Sequence, residues 1–530
     1  MESHEHQLRW AELVSTLALE TSKSQLGKRL GVTYKEIARW TKGEAIPQAR
    51  HREALITECE RSGINWRKFK GVSPIYDVTA SYERNVADGP KGLPTDFERY
   101  IPLIPTRILD LDLNSPIGVP ASMLTINSQW IAPLAKLGFD IITAKTVRTR
   151  EYSPHPMPNI VYLPELSGPL RAGSALAQVR ATTDLPYQPN QEVSLANSFG
   201  MPSTDPRVWQ EDLRRTLALL HNRQILVASI VGTPPDSKNG EVTSYLVNDF
   251  VKCAHLAYEV KPHFIEPNFS CPNVYGREGS IFQDPDLAAR ICRKIAKELP
   301  EARILPKIGY LPPDELERFL LATYKFVVGY TAVNTLATRV VSMGQREEPA
   351  FTGENRVTAG VSGAAIRNHG LEVTQNIRAF AEKHRPELVI LGVGGIANAQ
   401  HVKQYINNGA NAVQICSAAI FNPFIAIEIR KALSRDVNPT SKSMLLENAG
   451  IGVPFRDSVS AKAFELTLTV SARTGIPFET AYKALQKNWL NSYLGELSAI
   501  QSSDSTIKTR RHAPTESQIE AWIREEHTKQ

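Results

Sequence analysis

Eight short apolar runs recur between residues 115 and 418: "SPIGVPA", "DIITAK", "ILVASIV", "FIEPNFS", "RILPKIG", "FVVGYTAVNT", "ELVILGVGG" and "AVQICSA". Segments with helical spacing of apolar residues lie between them, among them "NSQWIAPLAKLG", "DPDLAARICRKIAKEL" and "NAQHVKQYINNGA". Strands with so little polar alternation are buried on both faces. Joined by helices, they form a parallel sheet with right-handed crossovers. Eight such units predict an α/β fold, a (β/α)8 TIM barrel, with an open doubly wound sheet as the competing architecture.

The flanks have a different texture. Residues 1–70 read as helices only and carry 13 basic against 9 acidic residues, a net of +4. The predicted organisation is an all-α N-terminal domain over 1–70, the barrel over 71–435 and a helical C-terminal extension over 436–530. In the last, "SAIQSSDSTIKTRRHAPTES" reads as a linker to a final helix. One interruption stands out: about 60 residues rich in Pro, Ser and Asn separate "DIITAK" from a helix near 206–222. They are predicted to form a long loop over the C-terminal face of the barrel.

Composition removes several function classes. The five cysteines are scattered, with no CxxC or CxxH pair, so no zinc site, iron–sulfur run or disulfide framework is expected, and no metal. The N-terminus is polar and no apolar run approaches the length of a membrane span. A cytoplasmic protein with reduced thiols, away from the membrane, is expected. A net charge of +6, from 61 basic and 55 acidic residues, does not single out nucleic acid.

Chemistry in a barrel sits where strands end. The second run ends in Lys145 and Thr146; the fourth in Asn268, Ser270, Cys271 and Asn273. The fifth carries Lys307 among apolar neighbours, and the sixth ends in Asn334 and Thr335. Gly394 and Gly395 follow the seventh run, Cys416 and Ser417 the eighth. Paired glycines before a helix let backbone N–H groups close on a phosphate, although tight turns use glycine anyway. A single lysine or asparagine here would more often be a satisfied structural group. Two lysines, several amides and a thiol on one rim argue for a site.

Taken together, "SPIGVPAS", "AKTV", "NSFGMP", "EPNFSCPN", "PKIG", "VNT", "GVSGAAIR", "GVGGIANA" and "VQICSA" resemble the class 1 dihydroorotate dehydrogenases. They also resemble the FMN-bearing pyrimidine half of dihydropyrimidine dehydrogenases. The resemblance runs in order from about 114 to 435. It implies FMN, with phosphate on Gly394, Gly395, Cys416 and Ser417 and with Gly363 close by. Lys145 and Lys307 are implied at the electron-rich edge of the ring, with Ala121 and Thr146 lining it. Asn197, Asn268, Asn273, Asn334 and Thr335 are implied around a planar pyrimidine, whose alternating C=O and N–H edge suits amides. Cys271 is implied as the acid or base at pyrimidine C5, while hydride passes between C6 and the flavin, with Lys145 also in the catalytic set.

Departures from the family pattern bear on the substrate. Ser122 replaces a glycine, "HPMPN" at 155–159 lacks the arginine expected at Asn159, and Asn368-His369 replaces a proline. Neither cysteine ladders nor a GxGxxG nicotinamide fold is present. Electrons are therefore expected to travel through a soluble acceptor or donor, or a separate redox partner.

The stretch "TSKSQLGKRLGVTYKEIARWTKGEAIP" resembles the helix-turn-helix of phage-repressor-like regulators. Gly31 marks its turn and Thr33 its N-cap. Thr33, Tyr34, Lys35 and Arg39 would face a DNA major groove. A protein-interaction bundle is the alternative. DNA binding implies a homodimer or higher homo-oligomer, since one such module binds weakly. The leading expectation is an FMN-dependent oxidoreductase fused to a DNA-binding domain. A flavin- or pyrimidine-sensing regulator with little turnover comes second, and an assembly protein third.

Overall fold

The computed structural model describes residues 10–42, 47–64, 74–91, 101–166, 168–174, 178–183, 192–235, 242–270, 279–344, 347–353 and 356–436. It also describes parts of 463–491, residues 514–528 and a few single positions. Two compact units result, one of 1–95 with 106–428 and one of 96–105 with 429–530.

Eight parallel strands form the larger unit's barrel: β1 (Ile117–Val119), β2 (Ile141–Val147), β3 (Ile225–Ile230), β4 (Phe264–Pro267), β5 (Lys307–Ile308), β6 (Gly329–Ala332), β7 (Val389–Val393) and β8 (Ala412–Gln414). The ladder runs β5-β6-β7-β8-β1-β2-β3-β4. Bridges Ile265↔Ile304 and Asn268↔Lys307 join its two ends, so the sheet closes on itself. The predicted barrel is the observed one. Pro267 ends β4 at a place where the ladder continues through the next residue, Asn268 N–H to Ile230 O at 2.9 Å. A hairpin of Thr106–Ile108 and Leu111–Leu113 plugs the opposite end. Its Ile108 and Leu113 pack with Ile141, Ile225, Phe264, Val389 and Ala412, the first residues of five barrel strands. The bottom is therefore apolar and packed by the hairpin.

The long interruption after β2 is not the loop predicted from sequence. It contributes strands Ile160–Tyr162, Gln178–Ala181 and Ser194–Asn197 to a second, five-stranded sheet. The other two members, Leu336–Ser342 and Thr358–Gly363, leave the barrel between β6 and β7. Gly360 pairs with Asn197 and Arg339 with Gln178, so two distant insertions fold as one roof. Asn368 and His369 serve this roof. Asn368 Nδ2 donates to Leu170 O at 2.8 Å, and His369 Nε2 lies 3.1 Å from Ser174 O.

The N-terminal region is helical: α1 (Trp10–Thr21), α2 (Lys23–Leu30), α3 (Tyr34–Thr41) and α4 (Ala49–Ser62). Leu13, Val14, Leu17, Leu26, Ile37, Trp40 and Leu55 make its core. Gly31 ends α2 at φ +66°, where residues other than glycine are strained. Thr33 starts α3 with a reciprocal capping box to Glu36. In the smaller unit, helices Phe478–Leu485 and Glu516–His527 are the principal described elements, with Lys487 3.2 Å from Glu526.

Candidate functional site

One cavity of about 1070 Å³, counting its open mouth, lies over the C-terminal ends of the strands. Its polar lining comprises a glycine-rich end, a pair of lysines and a floor of amides.

At one end stand Gly363, Gly394, Gly395, Cys416 and Ser417. Gly363, Gly394 and Gly395 adopt φ of +87°, +131° and +63°. A Cβ on Gly395 would lie 2.7 Å from Gly363 O, and one on Gly363 would lie 2.1 Å from Val193 O. These turns admit glycine alone because backbone meets backbone. Ser417 Oγ is 3.2 Å from Ser362 Oγ. The Cys416 thiol contacts Met123 Sδ at 3.6 Å, and burial pushes its pKa up against the opposing pull of Ser122 and Lys307.

A charged group that sequence reasoning missed adjoins this end. Arg367 Nη1 donates to Gly395 O at 3.2 Å and pairs with Glu192 at 2.8 Å. His401 Nε2 faces the same carboxylate at 3.3 Å, while its Nδ1 accepts from Ala397 N–H at 3.2 Å. Burial and then the Arg367 charge hold the imidazole below its usual range, with Glu192 opposing. Glu192 lines the cavity, at the edge of the roof. Only the fold brings these three separated residues together. "GVSGAAIR" and "GVGGIANAQH" flagged the neighbouring backbone but not the ion pair.

The lining also includes Ala121, Lys145, Thr146 and the almost wholly buried Lys307, whose charge reaches Cys416. Lys307 and Thr331 are paired across β5 and β6, and Glu266 sits on β4 beneath Asn268. Glu266 is fully buried, which pushes its carboxyl up, while Lys307 pulls it down.

Amides span the floor. Asn334 Nδ2 donates to Asn268 Oδ1 at 3.2 Å and also bonds Ser270 O. Asn268 Nδ2 donates to Thr146 Oγ1 at 3.2 Å, and Thr146 lies 3.0 Å from Ser229 Oγ. Thr335 N–H is bound to Asn334 Oδ1 at 2.9 Å. Asn268 is thus engaged on both sides, a support for Asn334 and Thr146 as much as a wall of the cavity. Asn197 enters from the roof, its Nδ2 donating to Gly360 O at 3.3 Å. Cys271 and Asn273 lie outside the described residues, directly after Ser270. The turn 155–159, which lacks an arginine at Asn159, is held by Arg356 from another segment.

Thr33, Tyr34, Lys35 and Arg39 are all exposed on or beside α3, away from this cavity's lining. Among the described residues, no cluster of His, Cys, Asp and Glu could hold a metal ion, and no helix is long and apolar enough to cross a membrane.

The chain resembles known proteins along most of its length. The sequence profile of the dihydroorotate dehydrogenase family matches residues 103–437. A dihydroorotate dehydrogenase of Dictyostelium discoideum is 33% identical over 371 residues, covering 67% of this chain and 96% of that one. A dihydroorotate dehydrogenase (quinone) of Stutzerimonas stutzeri is 26% identical over 356 residues, 66% of this chain and 91% of its own. The crystal structure of the Eimeria tenella enzyme in complex with ferulenol shares the fold, with a TM-score of 0.51 at 18% identity over 69% of this chain and 93% of that one. Enzymes of the family are oxidoreductases that use FMN. With a family profile spanning the whole barrel, this chain belongs to the dihydroorotate dehydrogenase family.

Proposed function

We propose that the chain is an FMN-dependent oxidoreductase acting across the C5–C6 bond of a dihydroorotate- or dihydrouracil-like ring. One observation carries the reading: a single cavity has a glycine-built, hydroxyl-bearing end, two lysines and an amide floor. The donor set fits FMN. Gly394, Gly395, Gly363, Cys416 and Ser417 form a cradle that side chains would fill, and Arg367, paired with Glu192, holds the Gly395 carbonyl and so the shape of the turn. Lys145 and Lys307, with Ala121 and Thr146, would hold the ring.

When bound, the flavin supplies hydride transfer. The remaining chemistry falls to the chain. The lysines offer positive charge, and that of the almost wholly buried Lys307 is poorly screened by solvent and acts strongly. Asn197, Thr335 and Asn273, with the remaining lone pair of Asn334 Oδ1, would read the ring's alternating donors and acceptors, and Asn268 keeps Asn334 and Thr146 in place. Cys271 would hold or take the proton at C5, as thiol or thiolate according to direction. The specific kinship, to class 1 enzymes or to the pyrimidine half of dihydropyrimidine dehydrogenase, belongs to this proposal. So does a soluble acceptor or a separate redox partner for the electrons.

The test is spectroscopic. Purified protein should be yellow, with non-covalent flavin that dihydroorotate or dihydrouracil bleaches anaerobically. Cys271→Ala should keep the flavin and slow bleaching about 10²–10⁴-fold. A colourless protein that cannot be reconstituted sinks the proposal, and an unchanged bleaching rate removes Cys271 from it.

We also propose that residues 1–70 bind DNA as part of a homodimer or higher homo-oligomer. Support comes from the short turn between α2 and α3 and from the exposed Thr33, Tyr34, Lys35 and Arg39. Lys35→Ala with Arg39→Ala should weaken binding and reduce the salt slope by about two if both meet phosphates. A dimer that binds no DNA at low salt reassigns the region to protein contacts.

A further inference from the structure

Two turns border the roof side of the cavity, 155–159 and 197–201, and one side chain ties them together. Arg356 is buried, with 3% of its surface exposed. Its Nε donates to Ser198 Oγ at 3.1 Å, its Nη1 to Pro156 O and Thr352 O at 2.6 Å each, and its Nη2 to Pro158 O at 2.9 Å and Ser198 O at 2.8 Å. A guanidinium has five N–H donors in a rigid fork, and this arrangement uses five acceptors. The fork therefore fixes the distance and tilt between the turns, which one bond could not do.

Neighbouring groups reinforce the clamp. Asn159 Nδ2 donates to His155 O at 2.9 Å and Ser198 O at 3.3 Å. His155 Nδ1 is 3.3 Å from Ser198 Oγ, and its ring lies where a Cβ on Gly200 would stand, 2.6 Å away. The clamped segment presents Asn197, Phe199 and Met201 to the cavity. Arg356 itself does not line it.

We infer that Arg356 is a positioning residue that sets ring affinity by holding Asn197, Phe199 and Met201 in register with the amide floor. This rests on the cavity being a flavin and pyrimidine site. Gly363 of the glycine-rich end pairs with Ser194 on the strand that leads into the clamped turn, but Gly394, Gly395, Cys416 and Ser417 come from the ends of β7 and β8, so cofactor retention should survive loss of the clamp. Lysine cannot replace it: a point charge with three donors fits neither the fork nor its count.

The test uses the full-length flavoprotein. Orotate and uracil are titrated into oxidised protein and followed by the shift of the flavin band. Arg356→Ala should retain wild-type flavin content but bind its ring ligand tenfold or more weakly. KM should rise far more than kcat falls. Millimolar guanidinium should restore affinity in Arg356→Ala and have no effect on wild type. Arg356→Lys guards against a folding failure of the alanine variant and should lie between the two. Ring affinity within twofold of wild type in either variant overturns the assignment. So does a loss in Arg356→Ala, folded with full flavin, that guanidinium does not reverse. A wild-type protein without flavin overturns the reading of the cavity instead, and the inference with it.

Discussion

Replacing Gly395 with alanine tests the phosphate end of the cavity directly. At φ +63° an alanine costs about 1–2 kcal/mol in backbone conformation alone. Its Cβ would also stand 2.7 Å from Gly363 O and 2.8 Å from the Arg367 Cβ. Neither neighbour yields easily. Gly363 is itself pressed against Val193 O, and Arg367 is tied to Gly395 O and Glu192. The turn must open, which would lengthen the backbone N–H contacts proposed for a phosphate. Hydrogen bonds to charged groups contribute roughly 1.5–3 kcal/mol each. Losing about one of them predicts an FMN affinity lower by roughly 10–100-fold. Fluorescence quenching during reconstitution of apoprotein measures this, with riboflavin as the internal control. Riboflavin lacks the phosphate and should bind within a few-fold of its wild-type affinity. Equal losses for the two ligands, or none for FMN, would refute the assignment of this end.

Three further outcomes follow from the structure. Glu192→Gln frees Arg367 from its carboxylate partner beside Gly395, so FMN should bind severalfold more tightly, with riboflavin unchanged in the same titration. Thr33→Ala removes the capping box of α3 and should cost about 1 kcal/mol locally, seen as faster amide exchange in 34–41 with the barrel amides unaffected. Burial, and then Arg356, lower the His155 pKa from 6.5 to about 4. The unfolded chain therefore takes up a proton that the folded chain resists, and stability should fall as pH drops from about 6.5 to 4, then level. His155→Gln should flatten that part of the denaturation-midpoint profile.

The barrel was legible in sequence because its strands carry near-continuous apolar runs, which few other environments require. "ILVASI" is buried along its whole length, as a strand covered on both faces must be. The roof was not legible, since "QVRA", "SLAN" and "TAGVSG" are short, and each is partly exposed at one or more positions. Nothing local distinguishes them from loop, and the two pairings that join the insertions, Gln178 with Arg339 and Asn197 with Gly360, each span more than a hundred residues. The site shows the same division. Glycines at positive φ and lysines at strand ends declare themselves one residue at a time. The Glu192–Arg367–His401 group and the Arg356 clamp exist only through the roof, so neither was foreseen. The substrate-side departures at Asn159 and Asn368-His369, which cast doubt on the ring pocket, prove to be places where the roof is fastened.

The roof also bears on how the molecule comes together. Gln178 must find Arg339, Asn197 must find Gly360, and β1 must find β8 through Ile117 and Val413. Each closure spans a long loop whose entropy is returned only when the pairing forms. The cavity therefore has no precursor in any shorter stretch: a nascent chain ending before Ala412 lacks β8, which closes the ring of strands, and with it Cys416 and Ser417. Cofactor capture and completion of the barrel are then coupled events. Saturating flavin should raise the unfolding midpoint of the whole barrel in one cooperative step, because the cavity proposed to hold it is lined by segments from Pro120 to Ala418.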